Sequence, residues 1–404
     1  MHSQSIVIVG GGHAGAQLCA ALAALGQGAR VHLVCEEDEV PYQRPPLSKS
    51  FLKNSTETLQ TLRSAQWYSS AGITVHRADP ALAIDRAHQV LRLRSGAQLE
   101  YAHLVLATGV RARRLPHLPE GLGNVAVLRT AADALSVRAL LEGPGSLTVI
   151  GGGFIGLEVA ATACALGKRV QVFESAPRLL MRSASPELAQ HVLQVHREKG
   201  MDVRVGVAVG GFECAEGRLA ALEVDGERHL VNALLLGIGA VPEHGLASDA
   251  GLVCENGIVV DEYMRTSDPA ILAIGDCVCF PEPTTGRRLR LESVQNANDQ
   301  ARTAAATLTG QLQAYGAIPW FWSEQGGMRL QIAGLMPIDG VRHLRPGTTV
   351  DGFSLLHYDQ GRLICVESVN APADHIAARK LLEVGASPSP ERACDPGVSL
   401  KSFL

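Results

Sequence analysis

The sequence predicts an α/β protein built on parallel sheets, with a dinucleotide-binding turn in each of two units. Three observations lead there. IVIVGGGHAG at 6–15 recurs in form as LTVIGGGFIG at 147–156. Each copy passes from a short apolar run through a glycine cluster into a helical pattern, and a second apolar run ending at an acid follows. Aromatic residues make up only 4% of the chain against 42 glycines, a balance that suits close helix-on-sheet packing better than a β-sandwich.

In the first unit, SIVIV (5–9) reads as a buried parallel strand. Gly10, Gly12 and Gly15 follow in G-x-G-x-x-G spacing, with His13 and Ala14 between them, then a helix over 16–26. Glycines here permit a tight turn, close approach of backbone to a pyrophosphate and close helix–strand packing, while the helix N-terminus supplies N–H groups and a positive dipole end. His13, at the helix start, is expected to act structurally. The next strand, VHLVC (31–35), leads to Glu36, placed to accept from a ribose hydroxyl.

The second unit repeats the scheme. LTVI (147–150) precedes Gly151, Gly153 and Gly156, with Phe154 and Ile155 enclosed. A helix over 155–167 and the strand RVQVF (169–173) end at Glu174. A carboxylate at that strand end bonds a free 2′-hydroxyl and repels a 2′-phosphate, favouring NADH over NADPH, although Arg178 nearby is able to soften the preference. Two such sites in one chain imply two nucleotides handled together. FAD at the first, NADH at the second and hydride passing between them is the economical reading. A degenerate, empty second copy is disfavoured because both copies keep every glycine and the acid.

Composition narrows the alternatives. With 404 residues, 46% hydrophobic and a mean hydropathy of +0.11, the chain reads as two to four ordered globular domains. A net charge of −4 and a pI near 6.4 give no global signal for nucleic acid. The apolar stretches 5–26 and 147–167 imitate membrane segments, but glycine clusters interrupt both and the first lacks a basic flank. A cytoplasmic protein without a membrane span is expected. Nine scattered cysteines form no C-x-x-C pair and no spacing for a chain-borne iron–sulfur cluster, and no metal site is expected. Cys277 and Cys279, one residue apart, read as packing residues.

Three further stretches bear on chemistry. In YQRPPLSK (42–49) two prolines stiffen the backbone between Arg44 and Lys49. A rigid support beside a ligand and a solvated turn both suit that spacing. LVLATG (104–109) and AILAIGDC (270–277) read as buried strands leading to Thr108, Gly109 and Asp276. Such strand ends face the ligand crevice of open α/β sheets.

Taken in order, GGGHAG, RPPLSK, ATG, GGGFIGLE, GD, RLESVQNA and PWFWSEQ make the chain resemble the FAD-dependent ferredoxin reductases of bacterial oxygenase systems over nearly its whole length. The resemblance implies a glutathione-reductase-like fold: an FAD domain at 1–112 and 240–318, an inserted NAD domain at 113–239, and a C-terminal α+β domain at 319–404. It places Gly10, Gly12 and Gly15 on the FAD pyrophosphate and Glu36 on its ribose, with Arg44, Lys49, Thr108 and Gly109 beside the cofactor. Asp276 is implied near the ribityl portion, and Glu292, Ser293 and Val294 near the isoalloxazine. Glu158 is implied to face the nicotinamide and pair with Lys49, the two catalytic residues. Pro242-Glu243, where relatives often have Pro-Asn, and Cys277, in place of a small aliphatic residue, depart from the family pattern.

Of the tryptophans in PWFWSEQ (319–325), a core role suits either, while the resemblance sets Trp322 rather than Trp320 near the flavin edge. With no redox cysteine pair and no internal cluster, electrons must leave for a separate carrier, and the resemblance implies a 2Fe-2S ferredoxin serving a Rieske dioxygenase or haem monooxygenase. Arg287, Arg288, Arg290 and Arg302, with Lys401 near the C-terminus, form the candidate docking set, and a solvated loop is the alternative reading. A rubredoxin reductase, an NADH oxidase of the same fold, or a redox-sensing interaction protein like apoptosis-inducing factor are the competing readings. The chain is expected to be a monomer or weak homodimer.

Overall fold

The computed structural model describes residues 4–283, 286–337 and 339–404. It divides into two compact units. One comprises residues up to Gln43 with Leu59–Arg111 and Val241–Ala317, and the other Arg44–Thr58, Ala112–Ala240 and Ile318–Leu404.

The first unit is organised by a five-stranded parallel sheet. Ile6–Val9 lies at its centre, between Val31–Val34 and His103–Leu106, with Thr74–His76 and Ile271–Ala273 at the edges. The central strand is buried at all four positions, which explains its unbroken apolar run: it shares one core with Leu18 and Leu22 of the helix that follows and with Leu91 and Leu93 of the antiparallel strand Val90–Leu93, and leaves no side for polar residues. The helix His13–Ala24 starts earlier than the apolar pattern suggests, because His13, Ala14 and Gly15 already form its first turn. A second helix, Val294–Leu308, packs against it.

In the second unit the same topology appears again. Leu147–Ile150 sits between Val170–Glu174 and Ala233–Leu236, with Asp202–Val205 and Val125–Ala126 outside them, all parallel. The helix Phe154–Ala165 leaves the glycine turn and is buried from Gly156 to Ala163, as an all-round apolar helix must be. A five-stranded antiparallel sheet follows near the C-terminus, in the order Trp320–Gln325, Met328–Gly334, Arg362–Val369, Phe353–Asp359, Val341–Pro346, with the helix Pro372–Glu383 against it.

Beyond residue 59 the unit changes between 111 and 112, between 240 and 241, and between 317 and 318. Residues 44–58 depart from expectation, for they pack with the second unit. Leu52 joins a core that holds Leu157, Leu188 and Val192. The Arg138 guanidinium lies 3.9 Å from the Phe51 ring centroid, and its Nε donates to the Phe51 carbonyl at 3.0 Å. The segments expected as separate NAD and C-terminal domains share one unit, since Met328, Leu330, Leu355 and Val369 enter that same core.

Candidate functional site

Both glycine turns sit where a central strand hands over to a helix, and their glycines divide the labour alike. A Cβ on Gly10 would fall 2.2 Å from the Ala107 carbonyl oxygen, and one on Gly15 would fall 2.0 Å from that of Gly10. In the second unit, a Cβ on Gly151 would stand 2.4 Å from the Gly237 oxygen and one on Gly156 2.5 Å from the Gly151 oxygen. All four clash with backbone, so these glycines serve the fold. The middle ones differ. Gly12 would meet nothing within 4 Å, and Gly153 only the Gly237 oxygen at 3.8 Å. Each is the N-cap of its helix, and neither end carries a side-chain cap. The middle glycines thus open a space at a positive helix end, where the backbone can approach an anion.

Around the first turn, Thr108 and Gly109 follow the strand His103–Leu106, and the Thr108 hydroxyl donates to the Glu243 carbonyl. Asp276 lies not on a strand but in the short 3-10 turn Gly275–Cys277. The Ser293 hydroxyl caps the helix that begins at Val294, accepting from the Asn296 N–H at 3.1 Å. Glu36 is exposed and stands two positions beyond its strand, which stops at Val34.

Around the second turn, Glu174 ends its strand as the pattern predicts. Its carboxylate accepts from the Gly152 N–H at 2.5 Å and the Ala176 N–H at 2.7 Å, so the acid is anchored to the turn it serves. Arg178 donates to the carbonyls of Ala184 (2.7 Å) and Met181 (3.0 Å). Its guanidinium is thus committed to main chain.

One charged side chain lies within the buried run of the helix Phe154–Ala165: Glu158, 3% exposed. Burying a carboxylate costs several kcal/mol unless it is paired and hydrogen-bonded, and here it is both. Lys49 Nζ donates to Oε2 at 2.7 Å, the Ser48 hydroxyl donates to the same oxygen, and the Ser323 hydroxyl donates to Oε1 at 2.6 Å. Thr162, one turn along the helix, holds Ser48 in place through its carbonyl at 3.0 Å. Lys49 keeps 20% of its side chain exposed, so the pair is open on one side only. Ser48 and Ser323 were missed in the sequence. Ser48 lies inside RPPLSK and Ser323 inside PWFWSEQ, but nothing local tells that two serines so far apart meet one carboxylate.

The remaining expected residues fall into place unevenly. Arg44 donates to the Arg129 carbonyl at 2.7 Å. The Trp320 and Trp322 rings lie 5.6 Å apart, and Trp320 is further enclosed by Arg379 at 4.1 Å and by the edge-on ring of His375. Arg287, Arg288 and Arg302 are exposed, with Arg288 paired to Glu255 and Arg302 to Asp299. Arg290 does not belong with them. Its side chain is only 8% exposed and binds Glu292 at 2.7 Å and the Asp276 carbonyl at 3.2 Å. A guanidinium able to satisfy a neighbouring carboxylate and a buried carbonyl is drawn inward.

All nine cysteines are free. Burial pushes the thiols of Cys19, Cys35, Cys277 and Cys365 up, Cys35 to about 12, so none of these four is poised as a thiolate. Among the described residues no group of His, Cys, Asp and Glu is arranged to hold a metal ion. No described helix is long and apolar enough to cross a membrane.

Family models agree with this geometry. The model for pyridine nucleotide-disulphide oxidoreductases matches residues 4–301, and that for the reductase C-terminal domain matches 320–404. The chain belongs to the pyridine nucleotide-disulphide oxidoreductases. Among its relatives, rhodocoxin reductase of Rhodococcus erythropolis is 43% identical over 399 residues, covering 98% of this chain and 93% of the relative. The crystal structure of the ferredoxin reductase for the CYP199A2 system from Rhodopseudomonas palustris superposes with a TM-score of 0.95 at 39% identity, over 99% of each chain. That of the covalent putidaredoxin reductase–putidaredoxin complex superposes with a TM-score of 0.94 at 36% identity, over 100% of this chain and 98% of the other. The protein is accordingly an oxidoreductase that uses FAD and NAD(H). Two open glycine turns, each followed by an acid, fit two dinucleotides.

Proposed function

We propose that this chain takes hydride from NADH onto FAD and delivers the electrons singly to a separate 2Fe-2S ferredoxin serving an oxygenase. The observation that carries the reading is the Lys49–Glu158 pair, buried on the helix that leaves the second glycine turn and open only at Lys49. The names of the relatives, which are reductases of ferredoxin-type carriers, supply the acceptor. When bound, FAD accepts two electrons together and releases them one at a time.

What the chain's own residues contribute follows from their placement. Gly12 and Gly153 leave room for the two pyrophosphates. Glu174, fixed by two N–H donors, accepts from the adenosine ribose, and with Arg178 tied to carbonyls the preference is for NADH. Lys49 and Glu158 orient the nicotinamide and offset charge as hydride leaves. All nine cysteines are free, which gives no internal disulfide to discharge into, so the electrons go outward. Trp322 lines that exit, and Arg288 and Arg302 meet an acidic carrier.

Anaerobic, NADH-driven reduction of cytochrome c, with and without a two-iron ferredoxin, tests the proposal. Strong ferredoxin dependence that weakens with salt is expected. Rapid flavin bleaching without a ferredoxin effect overturns the acceptor while leaving both nucleotide sites, and preferential turnover with a rubredoxin or with oxygen alone identifies the replacement.

A further inference from the structure

Behind Glu158 runs a line of buried polar groups that the hydride reading does not use. Ser323 and Gln325 alternate on one face of the strand Trp320–Gln325, and Phe321 on that same face meets Phe154 at 4.5 Å between ring centroids, so this face lies against the helix of Glu158. Ser323, Gln325 and His196 are 0%, 2% and 0% exposed. The Ser323 hydroxyl reaches Glu158 Oε1 at 2.6 Å, Gln325 Nε2 reaches the Ser323 oxygen at 3.1 Å, and Gln325 Oε1 meets His196 Nε2 at 2.7 Å.

The donors can run in only one direction. Glu158 Oε1 accepts, so Ser323 spends its proton there and its oxygen accepts from the Gln325 amide. The Gln325 carbonyl then accepts from His196, which places the ring proton on Nε2. His196 Nδ1 is buried without a partner, and a proton there would be an unpaired donor. Burial also lowers the proton affinity of this ring. Each link passes polarisation towards the carboxylate, and such chains strengthen each member. A histidine, a glutamine and a serine from two distant stretches of sequence are lined up to hold one carboxylate oxygen still.

We propose that Ser323, backed by Gln325 and His196, is a positioning residue for the hydride step, locking Glu158 in the rotamer that keeps Lys49 in its paired orientation. This rests on the reading that the Lys49–Glu158 pair orients the nicotinamide. The other oxygen of Glu158 is held by Lys49 and Ser48, both from the RPPLSK segment. Without Ser323 the carboxylate is held on one edge only and can swing about its last bonds, carrying the lysine with it.

The test compares the wild-type holoenzyme with Ser323→Ala, Ser323→Cys, Gln325→Met and Lys49→Met. Two quantities are read: the limiting rate and half-saturation of anaerobic flavin bleaching by NADH, and the chemical shift of the Lys49 side chain by NMR of labelled lysine side chains, of which the chain has six. Ser323→Ala and Ser323→Cys are expected to slow the limiting rate about tenfold, leave half-saturation within about twofold, and move the Lys49 resonance towards those of the exposed lysines. Gln325→Met is expected to do the same about threefold. If Ser323→Ala fails to retain FAD, the Cys and Met variants decide, as both preserve volume. An unchanged rate and Lys49 resonance in the Ser323 and Gln325 variants, beside a slow Lys49→Met, overturns the positioning role and leaves the reading of the pair intact. An unchanged rate in Lys49→Met sinks that reading instead, and the Lys49 resonance then still reports whether Ser323 governs the pair.

Discussion

Glu158 shows how little a single residue's neighbours in sequence say about its surroundings. Read along its helix it is one acid among apolar residues, and only the family resemblance gives it Lys49 as a partner. In the fold it receives one ammonium and two hydroxyls. Lys49→Met strands the carboxylate with its hydroxyls alone and is expected to lower stability by about 2–3 kcal/mol, measured by urea denaturation of the holoprotein. Glu158→Gln, which replaces the charge with an amide facing Lys49, is expected to slow flavin reduction by NADH about tenfold or more, measured by anaerobic stopped flow.

His375 carries a pH dependence of a different kind. It is 1% exposed and neither ring nitrogen has a partner, and burial, aided by Arg379 and Arg329, lowers its pKa to about 4. The unfolded chain therefore takes up a proton near pH 6.5 that the folded chain refuses until about pH 4. Its contribution is complete above about pH 6.5, is lost as pH falls towards 4, and is constant below. The loss totals about 3 kcal/mol. In His375→Leu that share of the acid destabilisation is expected to vanish, seen as a shallower fall in urea midpoint between pH 7 and 4.5. An equal fall in both proteins assigns the acid sensitivity to other buried histidines.

At the scale of elements, the glycine turns were legible because their requirement is local. A strand entering a helix through a turn this tight needs glycine wherever a Cβ would meet backbone, and the spacing records that need. What the spacing hides is that its glycines are not equivalent. Gly156→Ala drives a methyl to 2.5 Å from the Gly151 oxygen and is expected to destabilise the second unit by roughly 2–4 kcal/mol. Gly153→Ala brings its methyl no nearer to a neighbour than 3.8 Å, at the Gly237 oxygen, and is expected to leave the thermal midpoint within about 2 °C while weakening NADH binding about tenfold. Thermal denaturation and NADH titration on the two variants separate a folding glycine from a binding one. The first helix start was placed late because its first turn is His, Ala and Gly, which carry little hydrophobic periodicity, whereas the second, expected from 155, begins one residue earlier at Phe154.

For the whole molecule, the candidate docking arginines divide by burial. Arg288 and Arg302 remain exposed in ion pairs, whereas Arg290 is enclosed. Arg288→Glu and Arg302→Glu are expected to slow ferredoxin reduction about threefold to tenfold at low ionic strength, with the difference fading above about 0.5 M salt. Flavin reduction by NADH should be spared, and loss of both half-reactions together removes the docking role. A run such as TGRRLRLES does not reveal which of its arginines turns inward, since that depends not only on Glu292 within the run but on the Asp276 carbonyl brought there by another element.

Order along the chain was sufficient for the paired strand–turn–helix units and for Glu174 at its strand end, because each follows from contacts among residues near one another in sequence. Assembly alone decided that residues 44–58 leave the unit they follow, and that Glu158 is met by a serine 165 positions away. A buried charge must find its partners wherever packing brings them. Those partners come from separate loops and strands: the resemblance implied Lys49, while the patterns around Ser48 and Ser323 carry no trace of the meeting.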